Sequence, residues 1–136
     1  MTSKWLFKSD PKHYSYQDLA RDKRTVWDGI SNNLALKNLR NVRRGDEVMI
    51  YHTGAERAVK GLAKVLSDPY PDPQTKDARL AVVDIAPLGT VPRPIGLDEI
   101  KKRPELEDFD LVRLPRLSVM PVSEKQWEAI LALAKG

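Results

Sequence analysis

The chain has 136 residues, no cysteine, a formal net charge of +4 and a pI of about 9.4. This length fits one domain around one core, so residues 1–136 are predicted to form a single domain. The lack of cysteine excludes disulfides and thiol chemistry, and the two histidines lack a metal-ligand spacing, so neither a metal nor another cofactor is expected.

Short strands and helices alternate in the first part of the chain. Residues 4–8 have strand character, and Pro11 ends the strand because the residue before a proline is pushed out of helical geometry. Ser15 is an N-cap residue with Asp18 in the turn that follows, which indicates a short helix. Residues 25–27 predict a second short strand, which ends in an indole.

A helix is predicted to begin just after residues 27–32, where an indole, a carboxylate and a glycine stand together. Three consecutive side chains there are good N-caps, because their oxygens accept the free amide protons of a first turn: Ser31, Asn32 and Asn33. Apolar residues at helical spacing follow: Ala35, Leu39 and Val42. Trp27 is either a core anchor or the wall of a slot for a flat ring, and the residues alone favour the anchor.

The middle of the chain predicts two neighbouring strands. Residues 47–53 alternate as a strand and place His52 in line with apolar positions, as a core histidine or as part of a pocket. Residues 59–66 form the next strand, in which Gly61 indicates a bulge or a close backbone approach.

The second half predicts a strand over residues 80–85, a helix over 97–102 and a bent strand over 111–119. Three prolines mark an irregular passage between the first two: Pro87, Pro92 and Pro94. Ser123 with Gln126 forms a capping box that begins a C-terminal helix. Strands outnumber helices in mixed order, which predicts a small α+β domain around a curled sheet or partly closed barrel.

The side chains of this sequence fit a binding site better than a catalytic site. No Gly-x-Ser-x-Gly serine and no glycine-rich phosphate loop is present, so no enzymatic activity is predicted. Trp27 and Tyr51 are aromatic residues near short polar side chains, and basic residues follow on the predicted helix. Stacking faces, edge-reading polar groups and outer cations are what a pocket for a nucleic-acid base needs.

Five blocks of the chain resemble the EVE-domain family in residues and spacing. The blocks run nearly end to end: Lys4-Trp5-Leu6-Phe7-Lys8-Ser9-Asp10-Pro11, Trp27-Asp28-Gly29-Ile30, Gly45-Asp46 with Tyr51-His52-Thr53, Gly61-Leu62-Ala63-Lys64-Val65, and Leu111-Val112-Arg113 with Arg116-Leu117-Ser118-Val119. The resemblance implies a PUA-like fold. It also implies binding of DNA or RNA that carries a modified base, with modified cytosine as one candidate.

Functional residues are implied by position in this resemblance. The implied ligand pocket contains Lys8, Ser9, Trp27, Gly29, Asn32, Tyr51, His52, Arg116 and Ser118. Within it, Trp27 and Tyr51 would be the walls. The base edge would be contacted by Ser9, Asn32 and His52, and the phosphates by Arg40, Arg43 and Arg44.

Three functions follow as hypotheses, in order of preference. The first is a non-enzymatic reader of a modified base. The second is a small enzyme acting on a nucleotide or small anion, with Lys8, Asp28 and His52 as acid–base groups. The third is an adaptor whose basic helix docks an acidic protein. No apolar run reaches the ~18 residues of a membrane span and no signal peptide is visible, so we expect a cytoplasmic monomer without membrane contact.

Overall fold

The computed structural model describes residues 2–135. Its strands are β1 Lys4–Ser9, β2 Thr25–Trp27, β3 Glu47–His52, β4 Ala58–Val65, β5 Tyr70–Pro71, β6 Ala81–Gly96 and β7 Val119–Val122. Its helices are α1 Tyr16–Asp22, α2 Asn33–Arg40, α3 Leu97–Lys101, α4 Asp110–Arg113 and α5 Glu124–Lys135, with a 3-10 turn over Pro104–Leu106. None of the helices in residues 2–135 is long and apolar enough to cross a membrane.

All seven strands belong to one mixed sheet that curls into a half-barrel. The order is β2-β6-β4-β3-β1-β7, and β5 pairs with β6. The β1 and β3 strands are parallel, whereas the other pairs are antiparallel. The parallel register places the ends of β1 and β3 side by side, with Ser9 opposite His52. This architecture confirms the predicted PUA-like α+β class.

Helix starts follow the local sequence signals. The Ser15 side chain accepts from the Asp18 amide, and the Asp18 carboxylate accepts from the Ser15 amide. The Asn32 side chain caps α2 by accepting from the Ala35 amide at 3.0 Å. Ser123 and Gln126 form the predicted box at the start of α5, with bonds of 2.9 and 3.1 Å. These caps satisfy amides that a first helical turn leaves without partners.

The passage after residue 85 that is predicted to be irregular belongs to a strand, since β6 continues through all three of its prolines to Gly96, but its pairing with β4 is irregular there. Two register shifts in the pairing of β6 with β4 make this compatible with residues that lack an amide proton. One shift lies between Val59 and Gly61 and the other between Leu62 and Ala63. Bulges of this kind bend a strand and let a proline sit in a sheet.

The predicted strand over residues 111–119 is also wrong in its first half, since Asp110–Arg113 forms α4. Leu106 ends the 3-10 turn and Phe109 is the N-cap residue of α4, and both are fully buried. These two anchors hold the segment as two short turns and not as an extended strand. The strand begins only at Val119, where β7 pairs with β1.

An ion pair joins α3 to β6 and to the end of α5. The guanidinium of Arg93 donates to both carboxylate oxygens of Glu99, at 2.9 and 2.6 Å, and to the Leu133 carbonyl at 2.8 Å. The Gly96 amide adds a bond of 3.1 Å to the same carboxylate. Hydrogen bonds from Arg93 and then from Gly96 lower the pKa of Glu99 to about 2.

Acid is therefore expected to remove the stability that Glu99 contributes. Because the pKa of Glu99 is lower in the folded state than in the unfolded state, its ionised carboxylate stabilises the fold above pH 4.5. This stabilisation is lost as the pH falls towards 2. Glu99→Gln should lower the Tm at pH 7, and the difference from the parent should shrink at the acidic end. Thermal melts followed by circular dichroism measure this, with the exposed Glu128→Gln as the control. A difference that does not change with pH would contradict the assignment.

Candidate functional site

A cavity of about 610 Å³ opens beside Trp27, and we call it the Trp27 cavity. It is lined by Lys8, Ser9, Asp10, His13, Tyr14, Thr25, Val26, Trp27, Asp28, Gly29, Ile30 and Ser118. The end of β1 with its following turn, β2 with its following turn, and the residue before β7 supply these side chains. Segments far apart in sequence therefore meet around one hollow.

The indole of Trp27 is both a packed side chain and a wall of this cavity. It is 7% exposed and pairs with Val83 of β6 through its backbone. Its ring centroid lies 5.7 Å from that of Phe7 and 6.3 Å from that of Tyr14, which meets it edge-on at 80°. Rings at these separations attract each other. The indole is thus held in a fixed orientation before any ligand arrives.

The turn that follows β1 is tied down around the cavity. The amides of His13 and Tyr14 both donate to the Asp10 carbonyl at 2.9 Å. The Ser9 hydroxyl donates to the Tyr14 carbonyl. The Tyr14 hydroxyl donates to Asp22 of α1 at 2.9 Å. These bonds keep Tyr14 against the indole and make the turn a wall of the cavity.

Asp28 presents a carboxylate to the cavity without a protein partner. It is exposed, and within residues 2–135 no hydrogen bond or ion pair occupies its side chain. Gly29 follows with a φ of +78°, a left-handed conformation that favours glycine and turns the chain away from β2. The other carboxylate of the lining, Asp10, already accepts from the Lys12 amide at 2.9 Å.

Five of the nine predicted pocket residues line the Trp27 cavity together: Lys8, Ser9, Trp27, Gly29 and Ser118. The remaining four do not: Asn32, Tyr51, His52 and Arg116. The Asn32 side chain is used to cap α2. Arg116 is exposed on the chain before β7. The ligand contacts of all nine stay a prediction.

His52 lies on a different flank of the sheet, under α1. Its Nε2 accepts from the Tyr16 amide at 2.9 Å, and its Nδ1 lies 2.6 Å from the Glu56 carboxylate. Because Nε2 accepts, Nδ1 carries the proton and donates to Glu56. This hydrogen bond is the largest cause that lowers the pKa of Glu56. His52 therefore connects the start of α1 to β3, and it does not line the Trp27 cavity.

Tyr51 faces a second, smaller cavity and not the Trp27 cavity. The expected pocket with Trp27 and Tyr51 as its two walls is therefore not formed. Tyr14 takes the position beside the indole instead. The signal that points to Tyr14 is the Asp10-Pro11 turn, because such a turn brings the next few residues back over the end of the strand.

The predicted phosphate-binding arginines lie at the other end of α2. Arg40 is the last residue of this helix, about 12 Å along its axis from Asn32 at 1.5 Å per residue. Arg40 donates to the Arg79 carbonyl, and Arg43 donates to the Arg40 carbonyl at 2.6 Å. Arg44 is exposed, and its amide bonds to Asp68 at 2.9 Å. Their role towards phosphate stays a prediction.

A curled mixed sheet with short flanking helices makes this a PUA-like α+β domain, and the indole fixed beside an open cavity is its candidate binding feature. The EVE domain model matches residues 3–133, and the chain belongs to the EVE-domain family. Thymocyte nuclear protein 1 of Rattus norvegicus is 29% identical over 170 aligned residues, covering 100% of this chain and 75% of the relative.

Two solved structures extend the comparison. The structure of Rpa0253 from Rhodopseudomonas palustris has a TM-score of 0.93 and 29% identity, covering 98% of this chain and 94% of that chain. Human THYN1 protein, solved in complex with 5-methylcytosine-containing DNA, has a TM-score of 0.89 and 28% identity, covering 99% of each chain.

Proposed function

We propose that this chain binds nucleic acid and takes a modified cytosine, 5-methylcytosine in the first instance, into the Trp27 cavity without catalysing a reaction. The observation that carries the proposal is an open cavity beside an indole that is already fixed in place. The likeness over 99% of both chains to a protein bound to 5-methylcytosine-containing DNA supports the choice of base.

The energetics of base capture match such a cavity. Taking a base out of its stack costs a few kcal/mol. Stacking on an aromatic side chain returns about 1–3 kcal/mol per base. Trp27 supplies that face without loss of side-chain freedom, since Phe7 and Tyr14 already hold it. Polar contacts at the base edge supply the rest.

Asp28 is our assignment for the contact that selects cytosine. Cytosine presents an amino donor at N4, and a carboxylate is the natural acceptor for it. Thymine presents an acceptor oxygen at the same position, which a carboxylate repels. Apolar side chains of Val26 and Ile30 line the same cavity, and Val26 is 43% exposed. They offer a surface to a 5-methyl group, worth about 0.8 kcal/mol for one buried carbon.

The experiment compares oligonucleotides that differ in one base, made as DNA and as RNA. We expect 5-methylcytosine to bind about fourfold more tightly than cytosine, from that one buried carbon. Asp28→Asn should reduce the preference for cytosine over thymine about tenfold, since one edge contact is worth ~1–3 kcal/mol. Fluorescence anisotropy at one fixed salt concentration measures both.

Asp108→Asn is the matched control, because Asp108 is exposed and does not line the cavity. It should bind every oligonucleotide as the parent does. Equal affinity of the parent for all three bases would overturn the proposal.

A reader is also better supported than an enzyme. The acid–base set of the alternative hypothesis needs Lys8, Asp28 and His52 in one place, and His52 lies under α1 with both ring nitrogens engaged. That the whole chain acts as one domain, as a cytoplasmic monomer, stays a prediction of this proposal.

A further inference from the structure

A second cavity, of about 270 Å³, also borders Lys8, and we call it the Lys8 cavity. It is lined by Lys8, Tyr51, Thr53, Gly54, Arg57, Leu97, Lys101, Leu111 and Pro115. At ~30 Å³ for each water molecule it has room for a small solvated ion. Lys8 is shared with the Trp27 cavity, so the two hollows are neighbours.

Three cations surround this small space without a carboxylate among the lining residues: Lys8, Arg57 and Lys101. Within residues 2–135, no carboxylate oxygen lies within 4.0 Å of their charged nitrogens. Like charges that share a cavity repel each other, and an anion between them relieves the repulsion. The charge of the cavity therefore selects an anion.

The fold holds the Lys8 ammonium in place and fixes the backbone that carries the other two cations. The Lys8 ammonium donates to the Pro115 carbonyl at 2.8 Å and lies 5.7 Å from the centre of the Tyr51 ring. Arg57 has a φ of 43°, which is uncommon for a residue other than glycine, and its carbonyl accepts from the Leu97 amide at 2.8 Å. Lys101 ends α3, the helix that begins at this same Leu97. One ammonium and two backbone positions are therefore fixed before an anion arrives, which lowers the cost of binding.

Tyr51 adds a hydroxyl to the cations. Its side chain is 3% exposed, and within residues 2–135 its hydroxyl has no hydrogen-bond partner. Within residues 2–135, every fully buried polar side-chain atom has a hydrogen-bond partner. Because the Tyr51 hydroxyl has none, it must be in contact with solvent. Burial raises the pKa of Tyr51, and the charges of Arg57 and Asp98 act on it in opposite directions. The hydroxyl keeps its proton at neutral pH and can donate it.

We propose that the Lys8 cavity is a binding site for a phosphate group, held by Lys8, Arg57, Lys101 and the Tyr51 hydroxyl. In the complex, this group is the phosphodiester beside the base in the Trp27 cavity, and that part rests on the proposed function. The shared Lys8 separates base from phosphate by a single side chain. The site replaces the arginines at the end of α2 as the nearest phosphate contact to the base.

The first arm of the test uses inorganic phosphate alone and needs no nucleic acid. Phosphate should shift the backbone amide signals of Thr53, Gly54 and Arg57 saturably in ¹H–¹⁵N spectra. The double variant Arg57→Gln/Lys101→Gln should lose these shifts. Lys102→Gln is the matched control, since Lys102 is the next residue, is exposed and does not line the cavity. Equal shifts with sodium chloride at the same ionic strength would overturn the site.

The second arm uses the oligonucleotides and distinguishes a phosphodiester from free phosphate. The double variant should weaken binding of modified and unmodified strands by the same factor. It should also make the slope of log K against log[salt] less steep by about 1 for the phosphate contact that it removes. An unchanged slope would overturn the phosphodiester assignment. A missing preference for 5-methylcytosine would overturn the proposed function while leaving the phosphate shifts of the first arm in place.

Discussion

Oligonucleotides that carry 5-methylcytosine are expected to bind the Trp27→Ala variant at least about fivefold more weakly than the parent protein. A base stacked on an aromatic side chain contributes about 1–3 kcal/mol by this kind of substitution, and 1.4 kcal/mol is a factor of ten. The substitution should reduce the contribution of the modified base to affinity. It should leave the salt-dependent contribution of the phosphate contacts unchanged, because Trp27 does not contact phosphate in the proposed complex. Fluorescence anisotropy titrations measure both at one salt concentration.

The structure also requires a control for stability, because Trp27 is only 7% exposed. Removing a buried indole costs about 3–5 kcal/mol of unfolding free energy, so the alanine variant is also less stable than the parent. Trp27→Phe keeps a ring at this position and is the gentler test. Trp127→Phe is its match, since Trp127 is 5% exposed and lies on α5, away from the cavity.

Both phenylalanine variants should melt at lower temperature than the parent, by similar amounts. Only the Trp27 variant should bind 5-methylcytosine more weakly, because only its ring lines the cavity. If both variants lost affinity together, the effect would belong to stability. If neither lost affinity and Trp27→Ala also bound as the parent does, the indole would be a core anchor alone, and the base would have to bind elsewhere.

Local features of this fold could be predicted from the sequence because their causes are local. A hydroxyl or amide side chain before a helix finds its own amides a few residues on, so Ser15, Asn32 and Ser123 mark their helices without help from the rest of the chain. Gly61 likewise indicated a bulge or close approach, and both are present. Such signals do not depend on which strand pairs with which.

The composition of the site depends on long-range pairing and was only partly predictable. The resemblance brought Tyr51 and His52 into the pocket, and the parallel register does place Ser9 beside His52. What separates them is α1, whose first amide bonds to His52, together with the turn that puts Tyr14 against the indole. The spacing of residues in the sequence does not predict on which side of the strand end the helix packs.

A methyl group added at Gly61 is expected to destabilise the protein by about 3 kcal/mol or more. The ring of Tyr16 lies against this glycine, and an alanine Cβ would sit 2.7 Å from its Cε2 and closer still to Cε1 and Cζ. The ring has no free direction, because its hydroxyl donates to the Leu62 carbonyl at 2.6 Å and accepts from the Gly89 amide at 2.9 Å. Overpacking costs ~1–3 kcal/mol, and each lost hydrogen bond ~1 kcal/mol.

Urea denaturation of Gly61→Ala measures the loss, and Gly96→Ala is the control. A Cβ at Gly96 would meet its nearest neighbour, Glu99 Oε2, at 3.7 Å, and the φ of Gly96 is −73°, so this change should cost under about 1 kcal/mol or even stabilise.

The cause is isolated by pairing Gly61→Ala with Tyr16→Leu, which removes the ring that the new methyl group would strike. Tyr16→Leu alone loses two hydrogen bonds and leaves space above the glycine. The double variant should therefore be more stable than the sum of the single effects predicts, by about 0.5–3 kcal/mol of coupling. Strictly additive losses would mean that the strain lies in the β4 backbone. Because Tyr16 begins α1 directly after the turn that holds Tyr14, displacing its ring should also weaken binding in the Trp27 cavity.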